Sequence, residues 1–130
     1  MFFFSKKKSL LVYIVDDVKM QTEQLEALVE KDFDAEVVKF QSPQAVLKAL
    51  SKAGKLPDLM LCDYSMPEMT GTQLKREIFK NYGKFPVIFI TGTHNEDIIE
   101  DQLVVFSKPI NRSLLINQIT RMLDRSFIVK

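Results

Sequence analysis

The chain has 130 residues, which suits one domain of ordinary size, and at 46% hydrophobic it can build a core without staples. Its 18 Lys+Arg against 17 Asp+Glu exclude the net basic surface that general nucleic-acid binding requires, and a single cysteine, Cys62, excludes an internal disulfide and fits a reducing, cytoplasmic setting. The first apolar runs, Phe2 to Phe4 and Leu10 to Val15, are too short to span a membrane and do not follow the order of a signal peptide, so no stable membrane insertion is expected.

Residues 1–9 read as a partly basic arm, 10–125 as one domain, and 126–130 as a tail. Leu10 to Val15 is a continuous apolar, β-rich run, the pattern of a strand covered on both faces. Val18 to about Lys31 reads as a helix with Met20, Leu25, Leu28 and Val29 near one face. Ala35 to Phe40 alternates and reads as a second, edge strand. Ser42-Pro43 opens a helix, with serine as cap and proline at the first helical position, and Gly54 closes it. Leu59 to Cys62 is a third strand stopping at Asp63; Tyr64 to Gly71 is a loop; Thr72 to Tyr82 carries Leu74, Ile78 and Phe79 at helical spacing. Val87 to Ile90 is a fourth buried strand ending at Thr91-Gly92. Thr93 to Gln102 is polar and acidic, with room for a short helix at most. Leu103 to Phe106 is a fifth strand, followed by Ser107-Lys108-Pro109. The last helix runs to about Arg125 with Leu114, Leu115, Ile119, Met122 and Leu123 inward.

Strands alternating with helices imply a parallel sheet, right-handed crossovers and helices on both faces. Five such units fit a doubly wound α/β sheet, and the order 2-1-3-4-5 suits an edge-like second strand. Ligands in such sheets bind at the carboxyl ends of the strands, near the switch in strand order. That switch falls between strands one and three, which end in Asp16-Asp17 and in Asp63. Like charges about 4 Å apart repel by roughly 4 kcal/mol at an effective dielectric near 20. A hard cation with oxygen ligands would compensate, and Mg²⁺ suits a site with few protein ligands. Thr91 and Lys108 end the neighbouring strands with a hydroxyl and an ammonium. Together these groups could hold three phosphoryl oxygens beside a nucleophilic aspartate.

Asp16-Asp17, Asp63 followed by Met66-Pro67 and Gly71, Thr91-Gly92 and Lys108-Pro109 resemble the receiver domain of two-component response regulators over about Leu10 to Leu123. The resemblance implies a flavodoxin-like fold with Asp63 as phosphoacceptor. It implies that Asp17 binds Mg²⁺ directly, that Asp16 does so directly or through water, and that the carbonyl of Ser65 completes the metal site. Thr91 and Lys108 would contact the phosphoryl oxygens, and the Lys108–Pro109 bond would be cis. A histidine kinase or histidine phosphotransfer protein would be the donor, and an output protein or domain the recipient of the signal. Such a domain catalyses its own phosphorylation and slow dephosphorylation without being a multiple-turnover enzyme. Two departures fall on the output side. The family's switch aromatic stands three before the lysine, where this chain has Val105, with Phe106 on the opposite face unless a bulge intervenes. Thr91 and Lys108 are only 17 positions apart, which implies a short or irregular fourth helix.

Each of these residues has a plainer reading: Asp16 and Asp17 as helix-capping carboxylates, Asp63 as a loop cap, Thr91 as a strand-end residue, Lys108 as a solvated surface lysine. Cys62 reads as a buried strand residue, and His94, the only histidine, as no metal ligand. Two other functions stay open. One is a receiver-like interaction module that is not phosphorylated. The other is an Asp-nucleophile phosphohydrolase of the haloacid dehalogenase type, which needs a second Asp where Ser65 stands. Dimerisation is left open.

Overall fold

A computed structural model describes residues 9–92, 98–99 and 103–123. Residues 1–8 of the expected arm, the tail from 126 onward, and the stretch 93–102 where a short helix is expected, apart from Ile98 and Ile99, lie outside these residues; Thr93 and His94 fall in that stretch.

The described chain runs β1 (Leu10–Val15), α1 (Lys19–Asp32), β2 (Ala35–Phe40), α2 (Pro43–Lys52), β3 (Leu59–Asp63), α3 (Gly71–Asn81), β4 (Val87–Thr91), β5 (Ile98–Ile99), β6 (Val104–Ser107) and α4 (Arg112–Met122). Five strands are parallel, in the order β2-β1-β3-β4-β6, which is the expected 2-1-3-4-5 arrangement. The short β5 is an addition: it pairs antiparallel with β6, so β6 is not the edge strand. Two residues give too little periodicity to announce a strand.

The apolar strands are buried because both faces are covered. Leu10, Val12, Ile14, Leu59, Leu61, Ile88, Ile90, Val104 and Phe106 pack with α1 and α4. Tyr13, Val15, Met60, Cys62, Val87, Phe89 and Val105 pack with α2 and α3. The edge strand β2 is only partly covered and alternates accordingly.

Local chemistry sets the helix starts. Ser42 Oγ accepts the Ala45 N–H at 3.1 Å, with Pro43 opening α2. Thr70 and Gln73 form a reciprocal capping box at α3. Asn111 Oδ1 accepts the Leu114 N–H at 3.1 Å. Gly54 does not end α2 in a left-handed turn; the helix stops at Lys52, and Ala53 caps it in extended conformation.

Two inward residues were misplaced by periodicity. Met20 is 65% exposed, because at 3.6 residues per turn it lies opposite the buried stripe of Thr22, Leu25 and Val29. Leu114 is 46% exposed, and Gln118 instead takes an inward position beside Leu115 and Ile119.

Candidate functional site

Register brings the acids together. Val15 pairs with Cys62 in the parallel ladder, so the residues that follow them, Asp16 and Asp63, emerge side by side at the sheet's carboxyl edge. Asp63 pairs with Ile90 and Thr91 with Ser107, which brings β4 and β6 to the same edge. Lys108 is tied there by its backbone, whose N–H donates to the Thr91 carbonyl at 2.8 Å. The Lys108–Pro109 peptide is cis.

Asp16, Asp17 and Asp63 each offer one carboxylate oxygen to a cluster within 4.8 Å. Asp16 and Asp63 are buried and Asp17 is exposed, so the cluster opens to solvent on one side. The Lys108 ammonium lies 3.3 Å from Asp16 Oδ2 and 4.0 Å from Asp63 Oδ1. Asp16 Oδ1 accepts the Val18 N–H at 2.9 Å. The plain reading of Asp16 is therefore half right: it supports the start of α1, whose cap residue Val18 has no side-chain cap, while its second oxygen faces the lysine.

One ammonium against three carboxylates leaves the site short of positive charge. Burial, and then the neighbouring Asp16, push the Asp63 carboxyl up to about 6, against the pull of Lys108 and the Ser65 N–H. Burial also raises Asp16, opposed by the Val18 N–H and Lys108. An all-oxygen donor set with excess negative charge fits a hard divalent cation such as Mg²⁺. Asp16, Asp17 and Asp63 are the side chains that could hold it.

Ser65 is exposed, two residues beyond Asp63, and its N–H bonds to the Asp63 carboxylate. Thr91 is fully buried at the end of β4. Cys62 is buried on the α2/α3 side, where burial pushes its thiol far up and leaves it inert. A cleft of about 580 Å³ adjoins the site between α1 and the ends of β4 and β6, bordered by Gln21, Gln24, Leu28, Lys108 and Ile110.

Two further residues shape the site: Gly71, which the sequence motif already includes, and Tyr64, which the sequence reading placed only in a loop. Gly71 opens α3 so close to β3 and β4 that an added Cβ would lie 2.8 Å from the Asp63 carbonyl oxygen and from the Phe89 ring. Tyr64 packs edge-on against Phe89 with centroids 5.9 Å apart. Phe89 stands directly opposite Val105 in the β4–β6 ladder, so the aromatic on this face comes from β4. No bulge interrupts that ladder, and Phe106 is buried on the α1/α4 face, as strand alternation requires.

The model of the response regulator receiver domain matches residues 12–120. The chain is 34% identical over 116 residues to the transcriptional regulatory protein FlgR of Helicobacter pylori, covering 85% of this chain and 29% of that protein. It is 36% identical over 81 residues to the transcriptional regulatory protein NatR of Bacillus subtilis, covering 62% of this chain and 34% of that one. The chain thus spans about a third of the length of these relatives. A solved response regulator receiver domain protein from Clostridium thermocellum shares the fold with a TM-score of 0.74 at 23% identity, over 89% of this chain and 95% of that one. Among the described residues no helix is long and apolar enough to cross a membrane. With the strand order, the clustered acids and the lysine in place, the chain belongs to the response regulator receiver domain family.

Proposed function

We propose that this receiver domain accepts a phosphoryl group on Asp63 from a phosphohistidine donor in a Mg²⁺-dependent reaction. The observation that carries this reading is the cluster of three carboxylates within 4.8 Å, with the Lys108 ammonium 4.0 Å from Asp63. A carboxylate oxygen of Asp63 forms the new bond to phosphorus. The phosphorus–nitrogen bond of the donor breaks, and its electron pair stays on the imidazole nitrogen, which takes up a proton. Asp63 must be ionised to attack, and Lys108 favours that form. Asp16, Asp17, Asp63 and the Ser65 carbonyl would hold the metal ion, which when bound would offset charge on the phosphoryl oxygens. Lys108 and the Thr91 hydroxyl contact the remaining oxygens. The donor is a histidine kinase or phosphotransfer protein, the recipient of the signal an output protein or domain, and the setting cytoplasmic. The domain turns over only its own phosphate and binds no nucleic acid directly.

Acetyl phosphate or beryllofluoride with Mg²⁺ should modify the wild-type chain, by intact mass or amide shifts, and leave Asp63→Ala unchanged. An equal response in Asp63→Ala would remove the assignment. Val105, in place of an aromatic, supports a second reading, an interaction module that is not phosphorylated. A Mg²⁺ titration showing no binding would favour it. A phosphohydrolase is the weaker alternative, since Ser65 stands where a general acid would be needed; multiple turnover on a phosphate monoester would revive it.

A further inference from the structure

We propose that the amino edge of the sheet, together with residues 2–8 that precede β1, binds an anionic lipid surface and holds the Asp63 edge away from it. This stands apart from the phosphoacceptor reading and does not depend on it.

The fold gives its two edges different charge. Each of α1, α2 and α3 carries the chain back toward the start of a following strand, so it ends at the amino edge of the sheet. The end of α4 lies there too, since Met122 borders one recess with Phe85, Pro86 and Val87 at the start of β4. Every helix has a basic residue in its last turn: Lys31, Lys52, Lys80 and Arg121. Lys55 and Lys84 add two cations from the turns before β3 and β4, and all six are exposed. Among the described residues, the acids of this edge are Glu30, Asp32, Asp34 and Asp58. Asp32 pairs with Arg112, and the Asp58 carboxylate accepts the Leu11 N–H. The opposite edge carries Asp16, Asp17 and Asp63 around Lys108. An anionic surface therefore attracts the first edge and repels the second, which orients the domain.

The chain enters β1 from the basic edge, where the Leu10 N–H donates to the Asp34 carbonyl at 2.8 Å. Lys6, Lys7 and Lys8 stand just before that point, and residues 1–15 contain no Asp or Glu. Phe2, Phe3 and Phe4 precede the lysines. At no more than about 3.6 Å per residue, Phe4 reaches up to about 20 Å from Leu10, enough to pass the rim of the edge. Three rings suit the headgroup boundary, where aromatic side chains collect, and the run is far too short to cross the hydrocarbon. Rings and lysines supply two signals, which peripheral attachment needs because one alone holds only marginally. A nucleic acid that follows the protein surface meets the acids of the far edge. A lipid surface touches one edge only, so lipid is favoured.

The test is flotation of the full chain with vesicles of phosphatidylcholine alone, or of phosphatidylcholine mixed with phosphatidylglycerol. The chain should bind the mixed vesicles only, and added salt should weaken the binding. K6E/K7E/K8E should bind about 100-fold more weakly, and F2S/F3S/F4S, with charge unchanged, about tenfold more weakly. K52E/K84E, at exposed positions of the edge, should also lose about tenfold, whereas K19E, exposed at the opposite end of α1, should bind as the wild type does. A nitroxide-labelled lipid should broaden the amides of Gly54 and Gly83 and spare those of Asp63 and Thr91. The proposal is overturned by no binding to mixed vesicles or by equal binding to phosphatidylcholine alone. Affinity unchanged in K6E/K7E/K8E or in K52E/K84E also overturns it, as does broadening centred on Asp63 or an equal affinity for duplex DNA.

Discussion

Lys108 carries two duties at the residue scale. Its ammonium partly neutralises Asp16 and Asp63, and in doing so it competes with any cation the acids attract. Lys108→Ala should therefore bind Mg²⁺ several-fold more tightly, measured by isothermal titration at a pH where the acids are ionised. The same variant should be phosphorylated by acetyl phosphate about 100-fold more slowly, because a positive group near the phosphoryl oxygens is gone. Tighter metal binding with a slower reaction separates the two duties; unchanged values for both would deny the lysine any part. Gly71 is a backbone-approach residue. Gly71→Ala places a methyl 2.8 Å from the Asp63 carbonyl oxygen and the Phe89 ring, so the helix start must move. The expected loss is about 1–3 kcal/mol in urea unfolding, with amide shifts concentrated at Asp63 and Tyr64.

At the scale of elements, β6 decides which aromatic faces which helix. Phe106 is fully buried against α1 and α4, whereas Val105 is buried against α2 and α3. Phe106→Ala should cost about 3–5 kcal/mol, as removal of a buried ring does. Val105→Phe, which restores an aromatic at the family's usual position, should also destabilise, by about 1–3 kcal/mol, because Phe89 already fills the space across the ladder. A stabilised Val105→Phe would show that the face has spare room. Much of this level was legible in the sequence. The strand-to-helix order, Ser42-Pro43, and the opposite facing of Val105 and Phe106 all follow from local rules. The capping box at Thr70 and Gln73 was also available as a motif, but the preceding loop was drawn one residue too long. Asp58 was not legible. Its N–H donates to the Leu11 carbonyl and its carboxylate accepts the Leu11 N–H, both at 2.8 Å, which clamps the start of β3 to β1. Only strand adjacency gives that acid a partner.

For the molecule as a whole, the acid cluster links stability to pH and to metal. The folded, metal-free chain holds the Asp63 proton up to about 6, above the ordinary 3.8. The folded state thus binds that proton more tightly than the unfolded chain. The stability this provides is fully present below about pH 4 and is lost as the pH rises through about 6. Asp16 shifts in the same direction. Denaturant midpoints in chelator should therefore fall between about pH 5 and about pH 7.5, and Asp63→Asn should flatten this trend, gaining on the order of 1–2 kcal/mol at the higher pH. Mg²⁺ at about 100 times its dissociation constant should add about 2.7 kcal/mol to the wild type, and much less to Asp63→Asn. A wild-type midpoint that rises with pH without metal would contradict the electrostatic picture. The Asp32–Arg112 pair, which links α1 to α4 at the surface, should contribute little by comparison.

The amino-acid sequence alone determined the βα alternation, the parallel order and which strand ends carry Asp16, Asp17, Asp63, Thr91 and Lys108. These depend on hydrophobic period, turn residues and the handedness of crossovers, all of which are local or generic. Tertiary structure decided how the carboxylates share one lysine, and it decided the burial and the nearness of Asp16 that raise the Asp63 carboxyl. It also decided the close approach of Gly71, the placing of Phe89 opposite Val105, and the added strand β5. Each of those depends on distances between segments remote in the chain. Strand register sets such distances, and residue spacing along the sequence does not.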